Sequence, residues 1–290
     1  MKRLFFIFAL AVIPFFVHAQ HYLGFHVDGA SAWQIDQLDE TRCGLGGAGQ
    51  LGFTYEFQLN RFVFNTGIAA TYMTTSQILD SVHVSFALKD TRGVPVNYVG
   101  IIEDRHDWVN QWHLKIPIMA GLQEGNFYGL VGFVVDYSFR GTTRQQARMT
   151  TYGDYDDRYY DFLEEMPNHG YVDRQPIRSN GTVKFLPDLR ISAELGGAFL
   201  IGNRPRAPKI KVGLFFEYGL IDINYQELNG TLYKYNTTEY LTVDMAHIFT
   251  TKNVYGSKIN NLEVGLRASF LFNVGGQGTN KGCNCHRRLL

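Results

Sequence analysis

Three potential metal ligands lie within four residues near the end of the chain. They are Cys283, Cys285 and His286, and thiolate and imidazole groups bind zinc or copper. A structural zinc site takes four ligands, and no fourth follows in the sequence. With the distant Cys43, the cysteines number three, an odd number that gives no disulfide framework. We therefore predict no metal and no cofactor, and a flexible tail over residues 275–290; a thiol link to a periplasmic partner is the alternative.

A segment rich in aspartate and tyrosine begins at Asp154. Its carboxylates could gather around Ca²⁺, but the spacing lacks the D-x-[DN]-x-[DN]-G pattern and includes an interleaved arginine. Tyrosine and arginine are enriched among the residues that dominate binding at protein interfaces. We therefore interpret the segment as a partner-contacting loop, with four candidate contacts: Tyr152, Tyr155, Tyr159 and Tyr160.

Scattered histidines raise the question of a serine hydrolase. Such an enzyme needs a nucleophile, a base and an orienting acid in hydrogen-bond contact. The sequence contains no G-x-S-x-G motif, and no pairing of a serine with a histidine can be derived from it. We predict that the protein is not an enzyme, and lipid modification is the minor alternative. The histidines considered are His26, His106, His113, His169 and His247.

Charged residues of both signs occupy the polar positions of segments in which apolar and polar residues alternate. The clearest segment is Asn261–Asn273, where Leu262, Val264 and Leu266 alternate with Glu263 and Arg267. A period of two is the signature of a strand with different surroundings on its two faces. The charged positions predicted to share one face are Asp28, Glu56, Lys115, Asp136, Arg140, Arg190, Glu194, Lys211, Glu217, Glu263 and Arg267.

Eight such segments follow one another along the chain. Their connections alternate strictly between long and short, which is typical of outer-membrane barrels with short periplasmic turns and long external loops. We therefore predict an all-β, eight-stranded, antiparallel, closed transmembrane barrel. The long connections are assigned to external loops near residues 74–107, 141–185 and 225–260. The predicted strands are Tyr22–Gly29, Gly49–Gln58, Arg61–Met73, Trp108–Leu122, Phe127–Arg140, Leu186–Leu200, Lys209–Asn224 and Asn261–Asn273.

The interior of a barrel of this size is just wide enough for side chains. Buried charges are very costly unless they are paired, so we predict an ion-pair network that fills the interior. Inward glycines, including Gly196 and Gly213, would make room for long charged side chains. A gated conduit or a proton path is the functional alternative. The predicted network comprises Glu56, Lys115, Arg190, Glu194, Lys211, Glu217, Glu263 and Arg267.

Composition and the first residues indicate export. The chain of 290 residues has net charge zero, 45% hydrophobic and 14% aromatic content, so it is too apolar for a disordered protein and lacks the basic excess that nucleic acid binding needs. Lys2 and Arg3 precede an apolar run that ends in Val17-His18-Ala19, the pattern of a secretory signal peptide. The predicted organisation is a signal peptide over residues 1–19, a barrel over 20–274 and the tail.

Two strands carry a resemblance to a known family. They are Gly265–Phe272 and the stretch Trp112–Leu122, with its Leu-Lys-Ile-Pro-Ile core. Together with the strand pattern, they make the chain similar to the PorT-like outer-membrane β-barrel family of Bacteroidetes-type bacteria over nearly its whole mature length. The chain departs from the usual outer-membrane pattern because it continues to Leu290 instead of ending in the aromatic residue that the insertion machinery recognises. The resemblance implies the barrel fold and location in the outer membrane; the family includes accessory subunits of secretion and nutrient-uptake machines as well as many uncharacterised barrels.

The expected function is that of a non-enzymatic accessory or scaffold subunit in a larger outer-membrane complex. A barrel with a filled interior is a poor channel, and the loops exceed what a barrel needs, which usually marks a function. A self-sufficient, adhesin-type surface-binding barrel is the main alternative. The expected partners are outer-membrane lipid and lipopolysaccharide, together with proteins of the complex, and no nucleic acid.

Overall fold

A computed structural model places most of the chain. The predicted signal peptide, except its last residue, and all but the first residue of the predicted tail lie outside the described residues. No helix in the described part of the chain is long and apolar enough to cross a membrane. The described residues are 19–35, 41–89, 93–154, 171–202, 207–223, 228–229, 233–235, 243–245, 251–252 and 258–275.

Eight long strands form a closed antiparallel ring, in the order β5-β3-β2-β1-β14-β9-β8-β6, and β6 pairs with β5 to close it. The predicted eight-stranded closed barrel is therefore confirmed. The ring strands are β1 (Gln20–Ile35), β2 (Thr41–Leu59), β3 (Phe62–Leu79), β5 (Pro95–Glu124), β6 (Phe127–Asp154), β8 (Asp188–Leu200), β9 (Lys209–Gly219) and β14 (Asn260–Gly275). The other strands are β4 (Val82–Lys89), β7 (Gln175–Val183), β10 (Leu228–Asn229), β11 (Tyr233–Tyr235), β12 (Val243–Met245) and β13 (Thr251–Lys252).

A belt of exposed apolar side chains surrounds the ring. On β1 the exposed apolar residues are Leu23, Phe25 and Val27, and the same face continues to the partly exposed Trp33; Leu23 and Trp33 lie opposite Phe272 and Leu262 of β14. This span matches the roughly 9–11 residues that a membrane-crossing strand needs. Phe127 at the foot of β6 is 78% exposed, and such a belt is stable only against lipid. Closed barrels satisfy their own backbone hydrogen bonds in lipid, and the protein lies in the outer membrane.

The two ends of the barrel differ in their connections. At one end, β2 and β3 are joined by a turn in which Asn60 has φ of 54°, and β5 and β6 by a turn in which Gly125 has φ of 58°. Long connections leave the opposite end. Since short turns mark the periplasmic end of outer-membrane barrels, the long connections are external.

One side of the barrel rises far above the membrane belt. The strands β5 and β6 have 30 and 28 residues, and their upper parts pair with each other and with β4 and β7. The loops predicted over 74–107 and 141–185 are wrong for much of both ranges, which are strands. Apolar alternation is weak there because both faces carry polar residues, for example the buried Gln145 and the exposed Arg144 on upper β6. We call β4, the upper halves of β5 and β6, and β7 the external wall.

A β-bulge changes the direction of one predicted inward side chain. Trp112 on β5 lies opposite Arg140 on β6, whereas the next residue, His113, lies opposite Ser138. Phe139 is therefore the extra residue, and the bulge shifts the alternation of β6 by one position. Both Phe139 and Arg140 are exposed, so the prediction that Arg140 points inward is wrong.

Candidate functional site

The interior of the barrel begins, at its periplasmic end, with a carboxylate shared by two lysines. The Nζ atom of Lys209 lies 2.7 Å from Oε1 of Glu56, and that of Lys211 lies 2.8 Å from Oε2. The Nζ atom of Lys209 lies 4.2 Å from the centroid of the Tyr22 ring, and the Nζ atom of Lys211 lies 3.9 Å from the centroid of the Tyr128 ring. Lys209 is absent from the predicted network because it is the first residue of its strand, although the period of two from Lys211 places it on the same face.

The next layer is centred on Arg267. Its guanidinium group donates to Asp28, with Nη2 2.7 Å from Oδ2, and to Glu194, with Nη1 2.9 Å from Oε2. The hydroxyl of Tyr128 donates to the other oxygen of Glu194 over 2.5 Å. Gln50 donates to Asp28 over 2.8 Å. This layer therefore crosses the interior between β1, β14, β8 and β6.

A third layer joins Lys115 and Arg190 to shared carboxylates. The ammonium group of Lys115 lies 2.8 Å from Glu217 and 2.9 Å from Glu263. Arg190 also pairs with Glu263, and with Asp136. All eight residues of the predicted network lie inside the barrel, and the three layers bring each of them against an opposite charge.

Two glycines on neighbouring strands make room for an aromatic ring. A Cβ atom at Gly213 would lie 2.5 Å from the hydroxyl oxygen of Tyr128, and one at Gly196 would lie 2.9 Å from the same atom. Neither distance is tolerated by ordinary side chains. Gly213 admits the tyrosine that hydrogen-bonds Glu194, whereas a Cβ atom at Gly196 would first meet the backbone oxygen of Val212, at 2.2 Å. The nearest atoms are therefore not those of the arginine and glutamate side chains that the sequence led us to expect.

Apolar side chains cover the charged layers on the external side. This cluster consists of Val109, Val183, Phe185, Ile223 and Ile259. Backbone hydrogen bonds link the segments that carry it, from Leu186 N to Ile223 O over 2.9 Å and from Ile223 N to Ile259 O over 3.2 Å. The interior is therefore closed by charge pairs below and by an apolar cluster above.

One histidine forms a pairing that the sequence did not reveal. The Nδ1 atom of His113 lies 2.9 Å from Oδ1 of Asp136, and Ser138 lies opposite His113 in the strand pairing. Neither the Nε2 atom of His113 nor the hydroxyl of Ser138 has a hydrogen-bond partner among the described residues. The gap beside them has no room for a water molecule. The three residues therefore share a face without the nucleophile-to-base contact that hydrolysis needs.

The external wall has two distinct faces. Its concave face packs Tyr98, Ile102, Ala147, Met149 and Tyr171 into a buried cluster. On its convex face lies Tyr152, the one predicted contact tyrosine within the described residues, opposite Val99. Tyr155, Tyr159 and Tyr160 lie outside the described residues, as do Cys283, Cys285 and His286 of the tail.

No family model and no curated protein matches this sequence. Among solved structures, the chain is similar to Ail, the attachment invasion locus protein of Yersinia pestis, in complex with the heparin analogue sucrose octasulfate. The sequence identity is 10%, the TM-score is 0.25, and the alignment covers 87% of this chain and 99% of that one. It is also similar to Neisserial surface protein A (NspA), with 10% identity, a TM-score of 0.25, and coverage of 86% and 97%. The resemblance to the PorT-like family stays a prediction.

Proposed function

We propose that the barrel is a non-enzymatic anchor that presents the external wall to a partner protein, as an accessory subunit of an outer-membrane complex. The observation that carries the proposal is the length of β5, 30 residues, against the roughly 11 that a membrane crossing needs. At about 3.3 Å per residue, the remaining strand is on the order of 60 Å long. A secretion or nutrient-uptake complex is the class that the PorT-like resemblance implies.

The filled interior favours a role as an anchor and argues against a role as a channel. Fully buried charge pairs cross the barrel at three levels, and the apolar cluster around Phe185 lies above them. A solute path would require these pairs to separate inside a low-dielectric interior, which is very costly. The external surface is therefore the part of the molecule available for binding.

The tip of the convex face, which is the end of the external wall farthest from the membrane, has the composition of a binding patch. Val99 and Ile101 on β5 and Tyr152 on β6 are partly exposed on this face, and Tyr152 lies beside Val99 in the strand pairing. Charged residues, including Asp154 and the Arg148–Asp104 pair, flank them. An apolar and aromatic centre with a charged rim is the usual anatomy of a protein interface.

Co-purification from native membranes tests this proposal. The full chain, tagged after Leu290, would be extracted in mild detergent, sized, and its companions identified by mass spectrometry. We expect a stoichiometric partner with the parent protein and its loss with Tyr152→Asp. The control Asn180→Asp adds the same charge elsewhere on the wall and should retain the partner. A parent barrel that migrates alone would overturn the accessory role and favour a stand-alone surface binder.

A further inference from the structure

The bulge in β6 places Arg140 just above the lipid belt. The outward residues that precede it on this strand are Val135, Tyr137 and Phe139, which are 43%, 52% and 57% exposed. Arg140 is the next residue, and without the extra residue at Phe139 it would point into the barrel. Bulges commonly re-aim side chains in this way. The backbone irregularity therefore adds a cation at the external boundary of the membrane.

Two further arginines continue this positive surface upward. Arg144 is exposed on the same face of β6, four residues above Arg140. Arg178 on β7 lies opposite Gln146 and is exposed diagonally above Arg144. We call Arg140, Arg144 and Arg178 the arginine row. The two members on β6, Arg140 and Arg144, are about 13 Å apart at the usual strand rise. The row therefore extends through the height of the lipid headgroups.

The carboxylates near the row are already paired with other residues. Asp104 lies 3.3 Å from Arg148, and Glu103 lies 3.8 Å from Arg174. Within the described part of the chain, no carboxylate lies within ion-pair distance of any member of the arginine row. The row therefore presents uncompensated positive charge to its surroundings.

Aromatic rings border the row on the side of the membrane. Trp112, directly opposite Arg140, is 44% exposed and packs on Tyr72 with ring centroids 5.0 Å apart. Higher on β5, the guanidinium carbon of Arg144 lies 5.7 Å from the centroid of Trp108. Tryptophan and tyrosine concentrate at membrane interfaces. The rings therefore mark the headgroup level independently of the arginines, and Trp108 holds Arg144 in place.

We infer that the arginine row binds the phosphate groups of lipopolysaccharide in the outer leaflet. Arginine matches phosphate oxygens with paired N–H donors, and the outer leaflet holds phosphorylated glycolipid at the level of these rings. A ligand anchored by its acyl chains meets Arg140 and Trp112 together, whereas a soluble anion gains nothing from the apolar belt. This binding goes beyond the proposed partner function and uses a different part of the wall, since the tip residue Tyr152 lies eight positions above Arg144.

Lipid titration of the purified, folded full chain tests the inference. Native mass spectrometry would count bound lipid A carrying two phosphates, and the same lipid after enzymatic dephosphorylation. A basic residue near an anionic lipid surface strengthens binding roughly five-fold, so Arg140→Gln/Arg144→Gln should weaken binding of the phosphorylated lipid on the order of twenty-fold. The dephosphorylated lipid should bind parent and variant equally.

Matched variants separate this site from general effects of charge. Arg61→Gln removes an exposed arginine at the periplasmic end, where it pairs with Glu124 at 3.0 Å, and should leave binding unchanged. Arg140→Lys/Arg144→Lys keeps the charge but loses the paired donors, and should bind with an affinity between those of the parent and the glutamine variant. A change of gel migration on boiling would show that each variant is folded. Equal binding by the parent and the glutamine variant would overturn the inference, as would tighter, arginine-dependent binding of a soluble sulfated oligosaccharide.

Discussion

Lys115 and Glu263 meet across the barrel interior although 148 residues separate them in the chain. The Lys115 ammonium group lies 3.0 and 2.9 Å from the two oxygens of the Glu263 carboxylate. Both side chains are almost fully buried, and Arg190 contacts the same carboxylate. The contact joins β5 to β14, which are not neighbours in the ring, so charge pairing holds opposite sides of the barrel together.

Removing the charge of Glu263 should destabilise the folded barrel. In Glu263→Gln, Lys115 and Arg190 lose a shared counter-charge while remaining buried. Breaking a buried pair in this way typically costs about 3–5 kcal/mol, and the remaining pairs to Glu217 and Asp136 place the expected loss near the lower figure. Urea unfolding of the lipid-reconstituted barrel, followed by tryptophan fluorescence, would measure the change in the free energy of unfolding.

The matched control for this experiment is Glu124→Gln. Glu124 pairs with Arg61 at 3.0 Å, but both side chains are largely exposed, and exposed pairs contribute between about 0 and 1 kcal/mol. We expect a change of less than about 0.5 kcal/mol. Equal losses in the two variants would contradict a structural role for the interior pairing.

Gly213→Ala should also destabilise the barrel, because its new methyl group would meet the hydroxyl of Tyr128. Overpacking of this kind typically costs about 1–3 kcal/mol. Adding Tyr128→Phe removes the clashing oxygen, so the double variant should lose less than the sum of the single losses. The same unfolding assay reports both, and Gly49→Ala, whose Cβ would meet nothing within 4 Å, is the control. Additive losses would show that the ring and the glycine do not interact.

The sequence was sufficient to predict the barrel because lipid outside and packed side chains inside impose opposite demands on alternate residues. It also placed Glu56, Lys211 and Arg267 on the inner face, since the register shifts of their strands lie outside the predicted segments that carry them. The partners of each charge could not be predicted, because they depend on which strands face each other across the ring. Lys209 was overlooked at a strand end, although its spacing from Lys211 contained the signal.

Irregular and water-exposed regions explain the remaining errors of the sequence-based prediction, which concern the direction of Arg140 and the strands of the external wall. A one-residue bulge leaves no mark in the composition of β6, so the direction of Arg140 could not be read from alternation. In the external wall both faces tolerate polar residues, and the contrast on which the period of two depends is lost. Ser179 and Asn180 within β7, for example, are both exposed. Such a strand is defined by its backbone pairing to β6 more than by the hydrophobicity of its side chains.

Cysteine labelling should distinguish the outward side chain of Arg140 from the inward side chain of Ser138, which lie on either side of the bulge. In a background with the native cysteines replaced by serine, Arg140→Cys should react with a membrane-impermeant maleimide on intact cells. Ser138→Cys, whose side chain belongs to the inner face beside His113, should remain unlabelled until the protein is unfolded. A cysteine at Asn126 in the periplasmic turn should react only after the outer membrane is permeabilised. Strong labelling at position 138 and none at 140 would place the bulge elsewhere.

Conductance should stay absent even when one interior arginine is removed. Arg267→Ala deletes the centre of one charged layer, but the Lys211–Glu56 pair remains below it and the Lys115–Glu263 pair above it, and the cluster around Phe185 still covers the external side. We therefore expect neither the parent nor the variant to form stable open channels in planar bilayers.

A porin reconstituted at the same protein-to-lipid ratio provides the positive control, and the boiling-dependent shift in gel migration confirms that the variant is folded. Large, stable openings in Arg267→Ala, with none in the parent, would instead identify this layer as the barrier of a latent pore, because one missing side chain would then suffice to connect the two ends of the barrel.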